Sequence, residues 1–100
     1  MNDAHNHNNI AMAIKTARRT KGMSQEDFSL VSSRTYLSTL ERGLKSPTLN
    51  KLDELATALG IHPLTLLTMA YLNNNLPASI AALLSKVEAE LTVLRREKPD

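Results

Sequence analysis

One hundred residues with 42% apolar content and a net charge of +2 supply one modest hydrophobic core, not two. The lack of cysteine excludes a disulfide framework and thiolate metal sites, and fits a reducing cytoplasm. Neither a basic-then-apolar leader nor an apolar run of the ~18 to 20 residues needed to span a bilayer occurs, so the expectation is a soluble, cytoplasmic protein without membrane association. The charge is uneven: from Ile10 to Pro47 seven basic residues face three acidic ones, while from Pro77 onward the two signs balance. An anionic partner is therefore steered to the first half.

The fold class expected is all-α, because the aromatics are only Phe28, Tyr36 and Tyr71 and the remaining apolar residues recur at helical spacings with no sustained alternation. Residues 1–8, rich in Asn, read as a disordered arm. His5 and His7 within it have too few neighbouring ligands for a metal site. A first helix follows, with Ile10, Ala13, Ile14 and Ala17 on one face and Lys15 and Arg19 on another, stopped by Gly22. Ser24 is the N-cap of a second helix, with Asp27 completing a capping box and Phe28 and Val31 buried. Ser32 and Ser33 then make a short turn.

The third helix carries Leu37, Leu40 and Leu44 as an inward stripe and Thr35, Ser38, Thr39 and Arg42 on a uniformly polar side. No core asks for that polar stripe, and two short helices joined by a tight turn suit the major groove of DNA. Gly43 ends this helix, and Pro47 and Thr48 lead into a fourth with Leu49, Leu52, Leu55, Ala56 and Leu59 inward, ended by Gly60. Pro63 opens a fifth with Leu64, Leu67 and Tyr71 at core spacing. After the break Asn73–Asn75, Pro77 begins a sixth helix, on which Ile80, Leu84, Val87, Leu91 and Leu94 follow an a/d rhythm for about two heptads. Two heptads do not hold as an isolated pair. The helix therefore docks on its own domain or on its twin; the twin is preferred, because a DNA reader this small gains by doubling its contacts. The organisation expected is an arm over 1–8, a DNA-binding domain over 9–73 and a dimerisation helix over 77–97.

The pieces Ile14-Lys15 … Arg18 … Lys21-Gly22-Met23-Ser24-Gln25-Glu26, Leu37-Ser38-Thr39-Leu40-Glu41-Arg42-Gly43, Ser46-Pro47-Thr48-Leu49 and Leu55-Ala56-Thr57-Ala58-Leu59-Gly60-Ile61 together resemble the lambda repressor-like helix-turn-helix family, also called the XRE or Cro/cI type. The resemblance runs from about Ile10 to Leu67. It implies a five-helix bundle, here followed by a C-terminal amphipathic helix, whose third helix enters the major groove, usually in a dimer that regulates transcription. One departure is visible: between Gln25 and Leu37 the chain is about two residues shorter than the family spacing, and Val31-Ser32-Ser33 replaces the turn glycine. The second helix then ends early or the turn tightens.

Arg34 can present two donors to guanine at the start of the reading helix, and Thr35, Ser38 and Thr39 can donate, accept or touch a thymine methyl; these four are the candidate base contacts. Gln25, at a helix start where phosphate is favourably held, is a candidate backbone contact, as are Ser33, Tyr36, Arg42 and Lys45. Ser33 can equally serve only as an N-cap. Arg19 and Lys21 read as solvated surface charge. The resemblance implies that Arg18 and Glu41 form a partly buried structural ion pair. His62 beside Pro63 reads as a capping or surface residue. No cofactor, metal or catalytic residue is expected, since no nucleophile, base and orienter come together.

The expectation is thus a sequence-specific regulator binding double-stranded DNA, a homodimeric repressor of an inverted-repeat operator. The alternatives are an antitoxin or mobile-element controller whose C-terminal helix binds a partner protein, and a protein-interaction module that does not bind DNA.

Overall fold

Asn9 accepts the Met12 N–H on its side chain at 3.2 Å and starts α1 (Ile10–Thr20), as short polar side chains do at helix starts. In the computed structural model, which describes residues 8–72 and 76–96, four further α-helices follow: α2 (Arg34–Glu41), α3 (Leu49–Leu59), α4 (Pro63–Tyr71) and α5 (Pro77–Arg95). No strand occurs among the described residues. The arm expected at the N-terminus, including His5 and His7, and the Asn73–Asn75 break lie outside the described residues, apart from Asn8.

The second expected helix is a single turn of 3-10 helix, Gln25–Phe28. Both halves of its capping box form: the Asp27 N–H donates to Ser24 Oγ at 3.3 Å, and the Ser24 N–H donates to the Asp27 carboxylate at 2.7 Å. Phe28 is fully buried beneath it, and Val31 packs partly against the same core. The element ends early, and the chain enters α2 through Ser33, whose Oγ accepts the Tyr36 N–H at 3.0 Å.

Ala13, Ile14 and Ala17 of α1, Phe28, Leu37 and Leu40 of α2, Leu52, Leu55, Ala56 and Leu59 of α3, and Leu66 and Ala70 of α4 form one continuous core. Within it α1 packs chiefly on α4 and also on α2, while α3 packs on α4. The Asn9 N–H donates to the Ala70 carbonyl at 2.6 Å and joins the start of α1 to the end of α4.

Four residues expected inside lie outside. Leu44 is exposed because α2 stops at Glu41 and the left-handed Gly43 (φ 76°) reverses the chain, which takes Leu44 out of the Leu37–Leu40 register. Leu49 is exposed as the first residue of α3. On α4, Leu64 and Tyr71 are exposed and Leu67 is half-buried, whereas Leu66 and Ala70 are buried. That helix is apolar around most of its circumference, so spacing selects no face; contact with α1 does.

No residue of α5 is buried. Ile80 is half-buried, and Leu84, Val87, Leu91 and Leu94 are between 42% and 65% exposed. At 100° per residue these five share one side of the helix while Ala82, Ala89 and Val93 fall opposite, so the apolar character is less one-sided than the seam alone suggests. No helix among the described residues is long and apolar enough to cross a membrane.

Candidate nucleic-acid interface

The polar side of α2 follows from its buried side. With Leu37 and Leu40 wholly inside, helical geometry turns Arg34, Thr35, Ser38 and Arg42 the other way. Together with Gln25 these four line an open, mostly polar concavity of about 270 Å³. Arg34, Thr35 and Arg42 are exposed and Ser38 is half-buried. Thr39 is also half-buried, and its hydroxyl donates to the Thr35 carbonyl at 2.9 Å; its oxygen keeps acceptor capacity. Arg34 makes an exposed ion pair with Glu26 at 3.7 Å. A pair so solvated contributes little to stability, so the guanidinium can exchange that partner for another at small cost.

Ser33 and Lys45 are exposed and Tyr36 is half-buried. Ser33 is the N-cap of α2, which occupies one lone pair of its hydroxyl. Arg19 and Lys21 are exposed on and just after the last turn of α1. His62 caps α4, its Nδ1 accepting the Leu64 N–H at 3.0 Å.

Behind the concavity lies a charged cluster. Arg18 Nε donates to Glu41 Oε2 at 2.7 Å and an Arg18 terminal nitrogen donates to Oε1 at 2.9 Å, a two-point pair joining α1 to α2. The Arg18 and Glu41 side chains are only 11% and 4% exposed. The other Arg18 terminal nitrogen donates to the Met23 carbonyl at 2.9 Å, and the Gln25 amide donates to Glu41 Oε1 at 3.1 Å. Every polar atom of this buried charge thus has a partner, which is what makes burial tolerable. Burial pushes the Glu41 carboxyl up, but hydrogen bonds from Arg18 and Gln25 and the charges of Arg18 and Lys15 outweigh it and hold the carboxyl below its ordinary range. The Glu41 hydrogen bond correspondingly raises the Arg18 guanidinium against the effect of its burial.

Gln25 therefore does two things at once: it lines the concavity and braces Glu41. Sequence reasoning assigned it only to the outward face. It also passed over Lys51, which donates to the Val31 carbonyl and, at 2.8 Å, to Glu54. The spacing of Lys51 and Glu54 signals their local pair; nothing in the sequence signals the link to Val31. Among the described residues no group of His, Asp or Glu is arranged to hold a metal ion.

A family model described as helix-turn-helix matches residues 14–66, a stretch that runs from α1 into α4 and leaves out α5. Over 53 residues the chain is 49% identical to an uncharacterized HTH-type transcriptional regulator, y4dJ, of Sinorhizobium fredii (strain NBRC 101917 / NGR234), an alignment covering 51% of this chain and 69% of the relative. With the matched segment holding the capped 3-10 turn, the polar-faced α2 and the helices that support them, the chain belongs to the helix-turn-helix family in its lambda repressor-like form.

Proposed function

We propose that the protein is a sequence-specific DNA-binding transcriptional regulator, a cytoplasmic homodimer that represses by occupying an inverted-repeat operator. The observation that carries this reading is the two-sided α2, with leucines wholly buried on one side and an open concavity of Arg34, Thr35, Ser38, Arg42 and Gln25 on the other. Family membership and the regulator named among its relatives support it. In this reading Arg34, Thr35, Ser38 and Thr39 meet base edges. Gln25, Ser33, Tyr36, Arg42 and Lys45 hold phosphates and set the register. The activity is binding and release, with no bond made or broken.

The stripe of half-buried Ile80 and exposed Leu84, Val87, Leu91 and Leu94 on α5 supports pairing with a second copy. Twofold symmetry then sets the half-site centres about 34 to 36 Å apart. Selection of bound fragments from random duplex DNA tests binding, symmetry and spacing together. Recovery of an inverted repeat with that spacing supports the reading. Recovery of fragments with no common sequence overturns it and favours a protein-interaction module.

Two expected outcomes follow from the division of roles. Arg34→Ala costs about 1 to 3 kcal/mol on the selected site and relaxes the preference at one base pair. Lys45→Ala weakens all duplexes alike and lowers the slope of log affinity against log salt by about 1. Quantitative titration at several salt concentrations separates them. For the pairing helix, Leu84→Asp with Leu91→Asp converts the dimer to monomer in sedimentation equilibrium and lowers operator affinity without unfolding the core. A wild-type chain that is already monomeric assigns the stripe to a different protein, as in an antitoxin or controller.

A further inference from the structure

Lys51 stands on the first turn of α3, an element that contributes nothing to the α2 concavity, yet its ammonium reaches the entrance of α2 from behind. It donates to the Val31 carbonyl and to Glu54, and it lies 5.9 Å from the centre of the Tyr36 ring. Its side chain is 25% exposed.

The neighbourhood explains what such a contact can control. After the 3-10 turn the Val31 and Ser32 N–H groups both donate to the Phe28 carbonyl at 2.9 Å, so this stretch closes as a tight helical loop. Between Gln25 and Leu37 no residue has a positive φ, so the chain makes the turn without a left-handed residue to redirect its last carbonyls. A cation is favoured where the carbonyls of a helical turn emerge. Two residues past Val31 stands Ser33, the N-cap of α2, and then Arg34. The same ammonium lies against Tyr36 in the first turn of that helix, within cation–π range. One side chain from α3 thus grips the chain just before α2 begins and just after.

We infer that Lys51 is a positioning residue for base recognition: it fixes where the first turn of α2 starts, and so where Arg34 and Thr35 meet the groove, without itself contacting DNA. This rests on the DNA-reading role proposed above. Rigid support behind a recognition surface matters because a displacement of about 1 Å suffices to lose directional contacts.

The test compares wild type, Lys51→Met and Lys51→Arg, each on the operator selected with the wild-type protein and on a scrambled duplex, over a salt series and well below each variant's Tm. Lys51→Met keeps the apolar stem and removes the donor; Lys51→Arg retains a donor for Val31. Lys51→Met is expected to lower the ratio of operator to scrambled affinity by about tenfold, the scale of one good base contact, with the salt slope unchanged, and Lys51→Arg to restore most of it. A uniform loss on both duplexes with a slope lower by about 1 makes Lys51 a phosphate contact and overturns the inference. So does a lowered Tm with the ratio unchanged. A wild-type protein without any preferred sequence fails at the earlier step, the reading of α2 as a DNA reader, and removes this role with it.

Discussion

Glu41→Ala destabilises the protein by about 3 to 5 kcal/mol in chemical denaturation, the cost of leaving the Arg18 guanidinium buried without its carboxylate. Arg18→Met costs a similar amount, and also strips the donor from the Met23 carbonyl in the loop after α1. Replacing both partners together, Arg18→Met with Glu41→Leu, costs less than the two single changes added, because no uncompensated charge remains. Two single-variant losses each below about 1 kcal/mol refute the structural role. The pair also makes stability depend on pH in a definite direction. The Glu41 carboxyl is held below its ordinary range in the folded protein, so its contribution is complete above the unfolded glutamate value of about 4.3 and is lost as pH falls through the folded value. The stability advantage of wild type over Glu41→Gln should therefore shrink as the pH is lowered below about 4, and stay constant from about 6 to 8.

Phe28→Ala removes about 3 to 5 kcal/mol, the usual loss for a buried phenylalanine, and lowers the Tm by more than about 10 °C in a domain of this size. Its effect is larger than its volume alone suggests for function, since Phe28 is the one buried residue of the 3-10 turn. With the ring gone, the turn is held by its exposed capping box and by the half-buried Gln25 contact to Glu41. Amide exchange over residues 25–33 should then accelerate more than exchange in α3 and α4. Phe28→Leu, which refills most of the space, should cost less than about 1.5 kcal/mol. Equal acceleration along the whole chain shows that Phe28 supports the core in general and not the turn in particular.

Most of the helix boundaries were legible because they rest on local chemistry. Ser24, Ser33 and Thr48 cap within three residues of themselves, and Gly60 ends α3 with a left-handed backbone (φ 75°), which glycine adopts without steric cost. The polar side of α2 was legible for the same reason, since a helix with buried leucines at 37 and 40 has no freedom over where 35, 38 and 42 point. The inward side of α4 was not. Leu64, Leu66, Leu67, Met69 and Tyr71 crowd a nine-residue helix, and a stripe through Leu64 and Tyr71 fits the helical period as well as one through Leu66 and Ala70.

The sequence by itself determined the order of the helical elements, the caps at Ser24, Ser33 and Thr48, the stop at Gly60, and which face of α2 is polar, because each depends on interactions spanning a turn or two. Only the tertiary structure decided that the second element is a single 3-10 turn and that α4 faces α1 through Leu66 and Ala70. It alone joined Gln25 to the buried Arg18–Glu41 pair and brought Lys51 to the Val31 carbonyl. Those contacts link residues 16 to 23 positions apart, and no local pattern carries them. They form because burying Phe28, Leu37 and Leu55 in one core brings these helices together, and a charge or carbonyl trapped between them must then find its partner there.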